Sequence, residues 1–205
     1  MVLTGRENGD RVFGRVGACG LVVLLVSARA AFAHQGEGGG ILTGLSHPVS
    51  GLDHVAAMIA VGVWGAQLGR PALWVLPVMF PMVMAGGAFL ALIGLGLPGV
   101  ETGIALSAVV LGAVIVAEAR PPLAVSIAVV SAFALFHGHA HGTELPPDQS
   151  GLAYSVGFVV STGLLHACGI GIGAVHRWSG GARAIRAVGA VILAAGLVFL
   201  WRSFT

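Results

Sequence analysis

The chain has 205 residues, 57% of them hydrophobic and 9% charged, with a formal net charge of +2. A soluble domain carries about 25% charged residues, so the composition excludes an ordinary soluble domain and defines an integral membrane protein. No lysine occurs, and no basic run is long enough for a nucleic-acid surface. The 33 glycines are scattered through apolar runs, which suits close helix–helix approach in lipid better than disorder.

In chain order, residues 1–33 read as an export signal. Arg6, Arg11 and Arg15 form a basic leader, residues 16–27 are a short apolar stretch, and Ala31-Phe32-Ala33 offers a cleavage site before His34. Ala28 and Ala30 offer a second cut, and an uncleaved anchor is the alternative, because the leader is long. Cys19 falls in this segment and leaves only Cys168 beyond it, so a disulfide framework is excluded.

A bilayer core of about 30 Å needs roughly 20 helical residues. Spans are expected at 48–68, 72–93, 100–119, 121–140, 152–175 and 185–200. The expected fold is an all-α integral membrane protein, with six transmembrane helices over residues 34–205 following a cleaved signal peptide. Pro48 and Pro121 fit first-turn positions, where the missing N–H costs nothing. Pro77 and Pro81 fall inside the second span and predict a kink unless neighbours satisfy the freed carbonyls. Residues 94–99 and 145–148 read as turns.

If the N-terminus that follows the signal is exported, the inner loops hold Arg70, Arg120, Arg177, Arg183 and Arg186, whereas Arg202 is the one outer exception. That bias fits the positive-inside rule of a bacterial inner membrane. Glu101, Glu144 and Asp148 then lie on the outer side, where acids gather cations.

Ionisable groups at membrane depth cost roughly 2.5–3.5 kcal/mol each on insertion scales, so they normally face a protein interior or an ion path. Two clusters carry that cost. The first is His47 with Asp53 and His54, spaced H-x5-D-H. In a regular helix His47 and His54 would be about 10 Å apart along the axis, so Asp53 and His54 form an inner site and His47 an entrance ligand. The second is Phe136 to Glu144, FHGHAHGTE. His137 and His141, four apart, share a helix face, with Glu144 one turn on. His139 points elsewhere unless Gly138 and Gly142 break the helix, and the alternative use of those glycines is a close approach by the first helix. A paired H-x3-H with a carboxylate is a metal signal, and Gly138 stands where the H-E-x-x-H protease motif needs its glutamate. Either cluster taken alone also admits a purely structural polar network.

These residues resemble the HupE/UreJ family of nickel/cobalt permeases. The resemblance rests on H-x5-D-H, on F-H-G-x-A-H-G-x-E, on Glu101-Thr102-Gly103 and on Leu165-His166-Ala167-Cys168-Gly169, and it covers nearly all the chain after the signal. It implies six membrane helices and uptake of Ni2+ for hydrogenase or urease maturation, with cobalt or copper as cargo in some members. By motif match the functional residues would be His47, Asp53, His54, His137, His141 and Glu144. His139 occupies the variable position of the motif, so its imidazole is a departure.

Weaker candidates are His166 as a midplane station, Glu101 in the outer vestibule and His34 as a chelating N-terminal residue. Met79, Met82 and Met84 read mainly as packing, Glu118 with Arg120 as a surface charge pair, and His176 as a solvated loop residue. No nucleotide-binding motif is present. The expected function is therefore a permease for a divalent transition metal, most simply nickel, with no permanent cofactor and no nucleic-acid partner. Acid should inhibit it, since protons compete for imidazole. The rival readings are an intramembrane zinc hydrolase using H-x3-H with Asp53 and His54, a bis-histidine haem carrier on His54 and His166, and an assembly partner or metal sensor that binds without transporting. The residue pattern leaves the oligomeric state open.

Overall fold

The computed structural model describes residues 40–144 and 150–205. The expected signal segment, His34, and the 145–148 turn with Asp148 lie outside the described residues. Within them the regular structure is helical throughout: α1 (Ile41–Ser50), α2 (Leu52–Leu68), α3 (Ala72–Leu92), α4 (Val100–Val116), α5 (Leu123–Thr143), α6 (Gly151–Gly173), a short 3-10 helix (Ala174–Arg177) and α7 (Gly181–Arg202).

The expected first span is broken. α1 starts well before Pro48, which sits inside the helix and not in its first turn. Gly51 then adopts an extended conformation (φ −102°, ψ 118°), and α2 leaves at 86° to α1. The proline signal misplaced the helix start because α1 already begins at Ile41 behind Gly40, so Pro48 falls in its last turn. Pro121 likewise lies outside its helix, which begins at Leu123 behind Pro122. α3 keeps its helical path through both Pro77 and Pro81.

α2 is the central post. It packs against α3, α4, α6 and α7, and its residues from Met58 onward are almost all buried. Without a hydrophobic drive between helices in lipid, close packing and interhelical hydrogen bonds do the holding. Gly62 of α2 meets the backbone of α6 so closely that a Cβ there would overlap the His166 carbonyl. Gly138 and Gly142 of α5 abut Met84 and Ala88 of α3 in the same way. The close approach those two glycines permit is therefore made by α3, not by the first helix, and α5 runs unbroken through both. Trp64 Nε1–H donates to the Ala119 carbonyl (3.1 Å) and Gln67 Nε2–H to the Ile115 carbonyl (3.2 Å), tying α2 to the end of α4.

The outside is apolar: Trp74, Met82, Phe89, Leu152, Val191 and Trp201 are all exposed. Polar groups such as Ser107, His137, Thr162 and His166 are buried. This inversion is what a lipid solvent requires. Four helices (α3, α5, α6 and α7) are long and apolar enough to cross a membrane, and the bent pair α1/α2 passes the same test if taken as one span. α4 is apolar but shorter, at 17 residues.

Candidate metal centre

The break at Gly51 places the two polar clusters against each other. His47 lies in the last turn of α1, Asp53 and His54 in the first turn of α2, and His137 and His141 on one face of α5. His141 is the hinge of the group: its ring centroid is 4.7 Å from that of His47 and 4.5 Å from that of His54. His54 in turn stands edge-on to His137 at 4.7 Å. Four imidazoles from three helices thus form a continuous column, which the bend makes possible and a straight first span would not.

Hydrogen bonds set the ring tautomers. The Asp53 carboxylate only accepts, so His54 Nδ1–H donates to Oδ1 (2.9 Å), and the His54 backbone N–H donates to the same oxygen (2.8 Å). The neutral ring then carries its lone pair on Nε2, which is buried and without a hydrogen-bond partner. Ser107 of α4 does the equivalent for His137. Its hydroxyl donates to the Ile104 carbonyl (2.6 Å) and accepts from His137 Nε2–H (3.0 Å), which leaves the lone pair on the buried, unpartnered Nδ1. Both nitrogens of His141 are buried and unpartnered. A buried polar atom without a partner costs about 1–3 kcal/mol. Bare imidazole nitrogens oriented by a carboxylate or hydroxyl behind them are the arrangement of a metal ligand with its outer support.

At the mouth, His47 Nε2–H donates to Glu144 Oε2 (3.0 Å), and His141 Nδ1 lies 3.8 Å from the same oxygen, too far for a hydrogen bond. Ligand atoms of His47, His141 and Glu144 all fall within 4.8 Å of one another. An ion bound tetrahedrally at about 2.1 Å would want them about 3.4 Å apart, so the trio needs to close by roughly one ångström. The centre therefore has two layers, one at the mouth with His47, His141 and the exposed Glu144 and a second with His54, the buried His137 and the half-buried Asp53 behind His54, with His141 shared.

The other candidates sit apart. His139 turns away from the column, and its Nε2–H donates to the Leu95 carbonyl (2.9 Å). His166 is deep in α6, and Phe80 lies between it and the column, at 5.4 Å from His137 and 5.5 Å from His166. Glu101 is exposed in the first turn of α4 and makes no ion pair among the described residues. Met82 is exposed whereas Met84 is buried, so the three methionines of α3 do not share one face. Four residues of the site were missed in the sequence. Ser107 was visible as a lone hydroxyl in an apolar run, and Tyr154 as the chain's single tyrosine. Phe80 and Phe158 carry no signal that separates them from packing residues. The Tyr154 and Phe158 rings wall the mouth, at 5.7 Å from His47 and 4.5 Å from His141.

An all-helical, multi-pass membrane protein with an imidazole-lined centre beside a broken helix is the class these observations define. The chain belongs to the HupE/UreJ family: the family model described as HupE / UreJ protein matches residues 22–199. It is 44% identical over 171 residues to protein HupE of Rhizobium leguminosarum bv. viciae, an alignment covering 83% of this chain and 90% of that protein. No solved structure matches.

Proposed function

We propose that the chain is an inner-membrane permease for a divalent transition-metal ion, with nickel the expected cargo and cobalt or copper the alternatives. Membership of a family of transporters tied to hydrogenase and urease maturation supports a transport role over an enzymatic one. The observation that carries the reading is the convergence of His47, His54, His137 and His141 in one column, with buried, unpartnered nitrogens on the last three. Imidazole suits nickel, copper and zinc, and the carboxylates extend the set to harder ions.

The two layers suit passage better than storage. Permeation needs sites that are favourable enough to enter and weak enough to leave, and a cation can pass from the Glu144 layer to the Asp53 layer through His141. Discontinuous helices at a binding site are a transporter feature, because their free ends meet the ion. The C-terminal end of α1, where His47 sits, presents carbonyls that favour a cation.

Counting the bent pair and the shorter α4 each as a span makes six. With an export signal over residues 1–33 and an exported N-terminus after it, the histidine centre faces outward and the arginine-bearing loops inward. Purified protein in liposomes should exchange nickel across the bilayer in a counterflow assay run with nickel, cobalt, copper and zinc. Tight retention of zinc with no flux of any of the four ions would reject the permease.

A further inference from the structure

Beyond the histidine column, α6 carries a row of side chains at i, i+4 spacing: Tyr154, Phe158, Thr162 and His166, all buried. The first two wall the mouth, against His47 and His141. The row then leads away from the mouth, and His166 lies about 12 Å past Phe158 along the helix at 1.5 Å per residue.

Packing does not account for the last two members. A helical threonine commonly bonds a carbonyl of the preceding turn, yet Thr162 Oγ1 is buried with no hydrogen-bond partner. Neither ring nitrogen of His166 makes a well-aligned hydrogen bond either, and a neutral imidazole always has one nitrogen that can only accept or ligate. The two residues are one turn apart, so their side chains are neighbours on α6. The Pro77 carbonyl of α3 lies close to the His166 ring. That carbonyl is free of the α3 ladder, because Pro81 has no N–H to offer it.

One side chain stands between this group and the column. The Phe80 ring of α3 is fully buried, 5.4 Å from His137 and 5.5 Å from His166. The two helices on either side of it differ in stiffness. α6 is seated on α2 at this level, where Gly62 admits the His166 carbonyl against its backbone. α3 has prolines on both sides of Phe80, so two ladder bonds are missing and this stretch bends more readily.

We propose that His166 and Thr162 form an inner station for the transported cation, and that the Phe80 ring is the gate dividing it from the histidine column. This deepens the permease reading and rests on it. An apolar ring between two imidazoles excludes a hydrated ion, as hydrophobic constrictions do in channels. Movement of residues 77–81 swings the ring aside while α6 holds His166 in place. One imidazole with oxygen donors binds a transition-metal ion less tightly than several imidazoles do, which lets the ion move on.

Nickel titration of the purified full-length protein and radioactive nickel counterflow in liposomes separate a station from a packing residue. His166→Phe keeps the bulk and His166→Gln keeps a polar group for the Pro77 carbonyl, but neither keeps the imidazole. In both, exchange at saturating nickel should fall at least about tenfold, the scale of one lost ligand contact. Nickel binding at the column should stay within about twofold of wild type, because well-separated sites act independently. Phe80→Leu, which shortens the gate, should raise exchange severalfold, and the gain should vanish when His166→Gln is added. Wild-type exchange by both His166 variants, or a fall no larger than their loss of nickel binding, overturns the station. Exchange by Phe80→Leu at or below the wild-type rate, or a gain that survives in the double variant, overturns the gate. Absence of exchange by the wild type instead removes the permease reading itself.

Discussion

His141 is the residue on which the centre turns, because its ring touches both His47 and His54 and neither of its nitrogens is committed elsewhere. Replacing it by alanine takes a ligand from both layers, whereas His47→Ala takes one from the mouth alone. We expect His141→Ala to weaken nickel binding by more than about a hundredfold, beyond the roughly 10–100-fold that losing an outer partner costs, and His47→Ala by about tenfold, as read by titration of purified protein. Ser107→Ala tests the support behind His137. It removes the acceptor for a buried Nε2–H, so thermal unfolding should show a loss of about 1–3 kcal/mol, together with weaker nickel binding. A variant that loses stability but binds nickel as wild type would make Ser107 a packing residue. The side chains of the candidate centre were legible in the sequence, because H-x5-D-H and H-x3-H put costly groups where only an interior could take them. Ser107 stood out only as a lone hydroxyl in an apolar run, and its role was not legible, since its partner is thirty residues away.

Among the elements, the decisive one is the break between α1 and α2. A continuous first span would separate His47 from His54 by nearly two turns; the 86° bend at Gly51 swings both towards His141. A Cβ at Gly51 would stand 2.8 Å from Asp53 Oδ1 and 3.0 Å from His54 Nδ1. Gly51→Ala should therefore disturb the Asp53–His54 hydrogen bond and lower nickel transport severalfold while leaving membrane insertion intact, as measured by uptake normalised to protein in the membrane. Gly138→Ala acts on a different contact. It drives a methyl into the Met84 carbonyl and should cost about 1–3 kcal/mol in thermal unfolding, as overpacking does. The helices of the second to sixth expected spans followed from hydropathy with ends shifted by a few residues, although α4 is shorter than a span and the first expected span is broken. The break did not, because Pro48 reads as a helix start and the real start lies at Ile41. Nor could spacing show that Gly138 and Gly142 seat α3, since glycines mark close approach without naming the neighbour.

For the whole molecule, polarity is arranged along one direction. The histidines and Glu144 gather at one end of the bundle, Gln67, Glu118, Arg120 and His176 at the other, and lipid-suited side chains cover the flanks. Composition alone made the membrane class legible, and the distribution of arginines suggested which end faces inward. What the linear pattern could not supply was the convergence of spans, which depends on α2 standing at the centre with α4 and α6 packed against it. The central claim is that imidazoles from α2 and α5 together hold a passing cation. Uptake of radioactive nickel by cells making the His54→Ala/His137→Ala variant tests it most directly. Uptake at the background of cells lacking the protein, with wild-type amounts of variant in the membrane, is the predicted result; uptake equal to wild type would contradict the account.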